Sequence, residues 1–450
     1  MADYERLQAD AATALAAGDA RAAFQQLREV LRYPGQLGAD RRRWTEALAL
    51  FERISAALAG AAFAAKVVQV VADPDDVSAL YALGDALVEQ RLPAIAATIL
   101  ARANTLAPGR ESIVTELVTA LEMDLLNAEA CRFLRAAPDL LARSFHCRYL
   151  LAFNAIMTGD LAEPRRLLPG LRMYHGEPYQ GMTTALEGML ARADALDGVA
   201  ALDGRDLRGW HFVLNGSILL HLSPFGFDEG MHGRYAYIQD SDELCLEGIR
   251  RLAVALDALG LSPPRVFALP DRESAILAEA VAHLLELPVE PWVTGRDGVG
   301  GTVAPGLVVA YDLDRLPPEV LRSLTLQRPG QVLFSHATCW LSEPMFAADL
   351  TTYLYQVSRT PWETRLAVDP ETRQVKESAP REGEVAELAT RLVGTTLPAE
   401  ALPKVDLAAL RALAARAGTM TGDATAGALR SEGDRRRLRL GSPVPSNRFL

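Results

Sequence analysis

What most limits the folds open to this chain is a spacing: Ala96 and Leu100 recur 34 residues on, as Ala130 and Leu134, inside two stretches of matching apolar pattern. Around the first pair, residues 76–108 place Leu80, Leu83 and Leu87 at helical period with Gly84 among them, then Ala96, Leu100 and Ala103, and close on Pro108. Leucines three and four residues apart share one face of a helix. A second helix with alanine at its facing positions can approach that face at the glycine, and proline ends it. The unit is a helical hairpin. Repetition at a period of roughly 20–50 residues specifies an array of such units stacked on one another.

The pattern extends in both directions. The unit after residue 108 carries Leu117, Leu121, Ala130, Leu134 and Ala137. A further step of 34 reaches Leu151, Ala155 and Leu168, with Gly159 and Asp160 in the turn and Pro164 where alanine is expected. Backwards, a step of 36 fits Trp44, Ala47, Leu48, Phe51, Gly60, Ala64 and Val67. The first hairpin, 4–31, turns at Ala17, Gly18 and Asp19 and sets Ala23 and Leu27 on its second helix. Helical pairs therefore cover roughly residues 3–170. This alternation of small and large positions resembles the tetratricopeptide repeat (TPR) family, with Leu80 where tryptophan is common and Leu87 where tyrosine is common. The resemblance implies an α-solenoid of TPR-like hairpins whose first helices line a concave groove, and a protein or peptide partner held in that groove. Arg41, Arg42 and Arg43 are read as a solvated helix start, and His146 and Cys147 as packing residues.

Residues 182–196 read as a capping helix, and 194–208, with Gly198, Gly204 and several aspartates, as a boundary. Beyond Gly209 the period changes. Residues 210–214 and 217–222, separated by Asn215 and Gly216, read as a hairpin on an Asn-Gly turn. Residues 242–259 read as a helix capped by Ser241 or Asp242. Short apolar runs at 265–269, 289–293, 307–311 and 331–335 alternate with helices at 275–285 and 317–326; further helices are expected at 349–357 and 382–392, with an edge hairpin at 362–368 and 372–376. Strands separated by helices predict a mostly parallel sheet in a three-layer, Rossmann-like α/β domain. The expected partition is a helical repeat domain over 1–197, the α/β domain over 205–400, a C-terminal helix over 401–417, and a flexible basic tail over 418–450 centred on Arg435, Arg436, Arg437 and Arg439.

Charge and composition narrow the function. With 46 Lys and Arg against 57 Asp and Glu the formal net charge is −11, so no global positive field draws the chain to nucleic acid or to a membrane surface. The four cysteines, Cys131, Cys147, Cys245 and Cys339, form no CxxC pair and imply neither a disulfide framework nor a zinc ribbon. The start of the chain has no signal-peptide pattern and no run matches a membrane helix. A cytoplasmic location is the expectation.

In an open parallel sheet, ligands sit beyond the carboxyl ends of the strands. There the sequence places Asp271, Arg272 and Ser274 after the first long strand, Asp312 and Asp314 after the next, and His336, Thr338 and Cys339 after the last. The amides of 272–275 open a helix and can receive an anion, although Asp271 can equally cap that helix. Asp271, Arg272, Ser274, Asp312, Asp314 and His336 are the candidate ligand-binding residues. For catalysis the candidates are Asp271, Asp312, His336 and Cys339, with His336 and Cys339 as a base and nucleophile pair oriented by Asp312. Residues 265–274 and 308–312 resemble the two central strands of phosphoribosyltransferase domains. Asp312, Leu313 and Asp314 followed by Arg315 replace that family's paired acids and Thr-Gly loop, so its activity is not carried over. There is no GxGxxG after a strand and no GxxxxGK[ST]; residues 295–301 are glycine-rich without a following helix. The loop 223–235 is read as a lid or docking segment. No cofactor and no metal is assigned. The expectation is an interaction adaptor or scaffold whose α/β domain is a second docking surface or ligand sensor; the alternatives are an enzyme on a nucleotide- or sugar-like substrate at the sheet edge, and a self-assembling homo-oligomer.

Overall fold

The computed structural model describes residues 2–38, 40–224, 226, 230–295, 301–341, 346–369, 372–430 and 432–445. The glycine-rich stretch 296–300, residues 225 and 227–229 of the loop after Ser223, and the last five residues lie outside the described residues. The chain divides into two compact units, Met1–Thr183 and Thr184–Leu450. No helix among the described residues is long and apolar enough to cross a membrane.

The first unit is helical: α1 (Ala2–Ala16), α2 (Ala20–Leu31), α3 (Arg41–Leu58), α4 (Ala61–Ala72), α5 (Val77–Glu89), α6 (Pro93–Leu106), α7 (Glu111–Met123), α8 (Asn127–Arg135), α9 (Pro138–Arg143), α10 (Phe145–Met157) and α11 (Ala162–Leu171), with α12 (Tyr179–Ala195) running across the boundary. Aspartates start the helices. Asp19, Asp40 and Asp76 each accept a backbone N–H of the first turn. Consecutive helices pack on one another, α1 on α2, α3 on α4, α5 on α6 and α6 on α7. Leu80, Leu83, Leu87, Ala96, Leu100 and Ala103 are all buried, and a Cβ on Gly84 would collide with the Leu100 side chain. One contact crosses several helices: the connection after α2 lies back on α6 and α8. There the Tyr33 N–H donates to Ala94 O at 2.9 Å and its hydroxyl donates to Glu129 at 2.9 Å.

The second unit contains α13 (Leu207–Asn215), β1 (Ile218–Leu219), β2 (Tyr235–Gln239), α14 (Asp242–Leu259), β3 (Val266–Ala268), α15 (Arg272–Leu285), β4 (Val289–Pro291), β5 (Gly306–Asp312), α16 (Pro318–Leu324), β6 (Leu326–Gln327), β7 (Gln331–Cys339), β8 (Leu350–Arg359), β9 (Leu366–Val368), β10 (Val375–Glu377), α17 (Val385–Val393), α18 (Lys404–Gly418) and β11 (Gly433–Asp434). The main sheet runs β1-β8-β7-β5-β3-β4, and β2 also pairs with β8. Every pairing in it is parallel. A core of Phe267, Val308, Ala310 and Leu333 lies under Leu316, Val320 and Leu324. The small hairpin β9-β10 is antiparallel.

Several elements differ from the sequence reading. Residues 210–222 are not a hairpin: Asp206 caps α13 by accepting from Gly209 N, and Gly216, at φ 66°, ends it with its N–H on Phe212 O. Asn215 and Gly216 thus serve as a helix stop, the left-handed conformation that also suits a hairpin turn. Residues 349–357 are not a helix. They are most of β8, a strand buried on both faces, where Thr351, Thr352, Tyr353 and Tyr355 supply β-branched and aromatic side chains and burial hides the period of two. Strand β7 runs past Ser335 to Cys339, so His336 and Thr338 lie within it.

The described part of 418–450, read as a flexible tail, is packed. Strand β11 pairs antiparallel with β6, and Arg435 is buried, donating to Asp349 at 2.7 Å and to Leu324 O at 3.0 Å. The buried Asp349 carboxylate and the Leu324 carbonyl hold the guanidinium that a solvated tail would have given to water.

Candidate functional site

The candidate residues fall into two clusters and a helix cap. At the cap, Asp271 accepts from Ser274 N at 2.8 Å, which occupies the amide an anion would need. The buried Ser274 hydroxyl accepts from Tyr311 N at 2.8 Å and ties α15 to β5. Arg272 donates to the carbonyls of Arg381 and Gly383 at 3.4 and 3.3 Å.

The first cluster stands at the carboxyl end of β5. Asp312, 2 % exposed, accepts from the Tyr355 hydroxyl on one oxygen and from Asp314 N at 3.1 Å on the other. Arg315 Nε lies 3.4 Å from the first oxygen and also pairs with Glu363 at 2.9 Å. Asp314 accepts from Cys339 N at 3.2 Å. Burial pushes the Asp312 carboxyl up to about 6, with the Asp314 charge adding to the rise and the Tyr355 hydrogen bond opposing it. Burial, then the Asp312 charge, pushes the Tyr355 phenol up.

The second cluster contains His336 and was not legible as a set. Asp240 directly follows β2, Cys245 lies in the second turn of α14, and His336 is in β7; all three are fully buried. His336 Nε2 lies 3.0 Å from Asp240 Oδ2 and 3.5 Å from Cys245 Sγ, and Cys245 Sγ lies 3.4 Å from Asp240 Oδ2. The Tyr311 hydroxyl donates to the same Oδ2, and the Tyr353 hydroxyl approaches it at 3.4 Å. Asp240 Oδ1 accepts from Ser241 N at 2.7 Å, and His336 Nδ1 meets Thr352 Oγ1 at 3.1 Å. Desolvation is the largest influence on Asp240 and acts upward. The charge and hydrogen bond of His336, with the Tyr311 hydroxyl and the Ser241 amide, overcome it and hold the carboxyl below its usual range. Burial, then the Asp240 charge, raises the Cys245 thiol and both the Tyr311 and Tyr353 phenols well above theirs.

The structure therefore separates His336 from Cys339, which sit an odd number of residues apart on one strand and face opposite sides of it. Asp312, Asp314 and Cys339 stay together; His336 is joined by Asp240 and Cys245. In the second cluster the thiol and the carboxylate address the same imidazole nitrogen. A base that activates a nucleophile needs the thiol on one ring nitrogen and the orienting acid on the other, so the set is not a proton relay. The β-prone side chains Tyr235, Tyr237 and Ile238 were the sequence signal for β2, and with it Asp240 would have stood at a strand end. Neither a protein-family profile nor a curated protein matches the chain.

Proposed function

We propose that the protein is a docking adaptor: its helical unit stacks as a TPR-like solenoid and holds a basic peptide segment of a partner protein along the first helices of its pairs. The observation that carries the reading is an acidic face shared by α5 and α7. Glu116 is desolvated, and Asp85 and Glu89 lie close enough that, after burial itself, their charges raise its carboxyl above the usual value. Burial, Glu116 and Asp85 likewise raise the Tyr81 phenol at the same place. None of Asp85, Glu89 and Glu116 is in an ion pair among the described residues. Like charges held together without a counter-ion favour a cationic partner, and an apolar-flanked tyrosine adds a contact surface for its stems.

The test is fluorescence anisotropy of the full chain with a Lys- and Arg-rich peptide and with its charge-reversed counterpart. Binding of the basic peptide is expected to weaken as salt rises, and to weaken at least about tenfold when Glu116→Lys is combined with Asp85→Lys. Equal binding of the two peptides, or no effect of the double substitution, removes the reading.

A further inference from the structure

We propose that Asp240, Cys245 and His336 form a binding site for one divalent cation of the zinc class, held inside the sheet unit and independent of the docking surface. Three observations carry it, and the first is convergence. The ligand atoms Oδ2, Sγ and Nε2 form a nearly equilateral triangle with edges of 3.0, 3.4 and 3.5 Å. An ion over its centre would stand about 2 Å from each corner, the length of zinc bonds to nitrogen and oxygen and close to the zinc–sulfur bond. Carboxylate, thiolate and imidazole together are a set that favours zinc or cobalt over magnesium or calcium.

The second is crowding on one oxygen. Tyr311 Oη, His336 Nε2, Cys245 Sγ and Tyr353 Oη all approach Asp240 Oδ2, while Oδ1 receives Ser241 N. A carboxylate oxygen has two lone-pair directions, so four donors exceed what it can accept. With a cation bound, the imidazole and thiolate direct their lone pairs to the metal instead. The hydroxyls of Tyr311 and Tyr353 remain to hydrogen-bond the carboxylate or to complete the coordination shell.

The third is the support behind the imidazole. His336 Nδ1 is oriented by Thr352 Oγ1 at 3.1 Å, the outer hydrogen bond that metal-bound histidines usually make. Gly248 leaves the space for it: a Cβ there would stand 2.8 Å from Thr352 Oγ1 and 2.9 Å from His336 Nδ1. Binding forms bonds from the carboxylate, the thiolate and the neutral imidazole, and the thiol proton and any second imidazole proton leave to solvent. No electron is transferred.

The test uses the full chain, purified without chelator and without an affinity tag. Elemental analysis is expected to find about one zinc per chain, resistant to chelator while folded and released on unfolding. Refolding with Co²⁺ is expected to give the visible bands of a tetrahedral site and a thiolate-to-cobalt charge-transfer band. Cys245→Ala should remove that band and His336→Gln, which removes a ligand, should weaken metal binding by more than the about 10–100-fold expected for losing an outer-shell partner, with circular dichroism reporting that each variant is folded. A native chain without metal that also takes up no Co²⁺ on refolding overturns the proposal. So does a charge-transfer band that persists in Cys245→Ala. Should a variant fail to fold, the two measurements on the unsubstituted chain decide alone.

Discussion

Asp240 and Asp312 are two aspartates at strand ends of the same sheet, both buried, and their surroundings send them in opposite directions. Desolvation acts upward on each. Around Asp240 a histidine, two phenols, a thiol and an amide converge, and the carboxyl is held below its usual range. Asp312 has one phenol, one amide and a guanidinium 3.4 Å away, with Asp314 as a like-charged neighbour, and its carboxyl is pushed up to about 6. Burial alone therefore does not set the state of a carboxylate; the number and charge of the donors aimed at it do. In stability terms, Asp240 is a charge that its partners require, and Asp312 is one that the fold tolerates.

That contrast is broken most directly by removing each charge. Asp240→Ala leaves His336 and the Tyr311 hydroxyl buried without their acceptor, and the loss of stability is expected to be about 3–5 kcal/mol, the usual result of removing one partner of a buried pair. Asp312→Ala should cost far less at neutral pH. Urea denaturation of both variants at pH 7.5 is the measurement, and equal losses would mean that the two sites are energetically alike.

A titration sharpens the comparison. Because the folded Asp312 carboxyl sits at about 6 against an ordinary value of 3.8, the folded chain binds its proton more tightly than the unfolded chain does. The resulting penalty is absent below about pH 4, grows as pH rises, and is complete above about pH 6. A shift of that size corresponds to about 3 kcal/mol. Asp312→Asn, which mimics the protonated group, is expected to match the unsubstituted chain near pH 4 and to be more stable by up to that amount at pH 7.5. A constant difference across the range would show that Asp312 does not titrate between those limits.

Tyr355 is the main hydrogen-bond donor that restrains Asp312. Tyr355→Phe should lose about 1.5–3 kcal/mol at pH 7.5, as for a hydrogen bond to a charged group, and less near pH 4, where the acceptor is neutral. With Asp312→Asn present the loss should fall to that lower value at every pH, about 0.5–1.5 kcal/mol, because an amide oxygen still accepts the phenol hydrogen bond. If it stays undiminished in the double variant, Tyr355 acts through packing rather than through the carboxylate.

How much of this was legible depended on where each signal lay. The helical pairs could be read because Leu80, Leu83 and Leu87 keep one face and Gly84 and Ala96 keep the facing positions small, all within neighbouring helices. Strand β8 could not, because burial on both faces erases alternation between Leu350 and Tyr355. Asp312 and Asp314 were found from their position after an obvious strand. Asp240 was missed because β2 has only five residues, most of them half-buried or exposed, and because its partner His336 is 96 residues away. The packed tail escaped for the same reason: Arg435 finds Asp349 at a separation of 86 residues. Local periodicity carries no information about which distant charge will meet which.

The two thiols give the smallest and most local form of the contrast. Cys245 belongs to the Asp240 cluster and is fully buried, out of reach of solvent, and burial pushes its thiol well above the ordinary range. Cys339 belongs with Asp314 and is half-buried, whereas Cys131 and Cys147 are buried in the helical unit. A thiol must reach solvent as the thiolate to react with an electrophile. In the folded chain one thiol is therefore expected to react with a disulfide reagent, and Cys339→Ser should abolish that reaction while changing stability by no more than about 0.5 kcal/mol. Cys245 should react only as the chain unfolds, at the unfolding rate. Fast labelling of Cys245 in the native state would mean that the Asp240 cluster opens without global unfolding, and the distinction between a locked carboxylate and a tolerated one would then be a matter of population rather than of fixed surroundings.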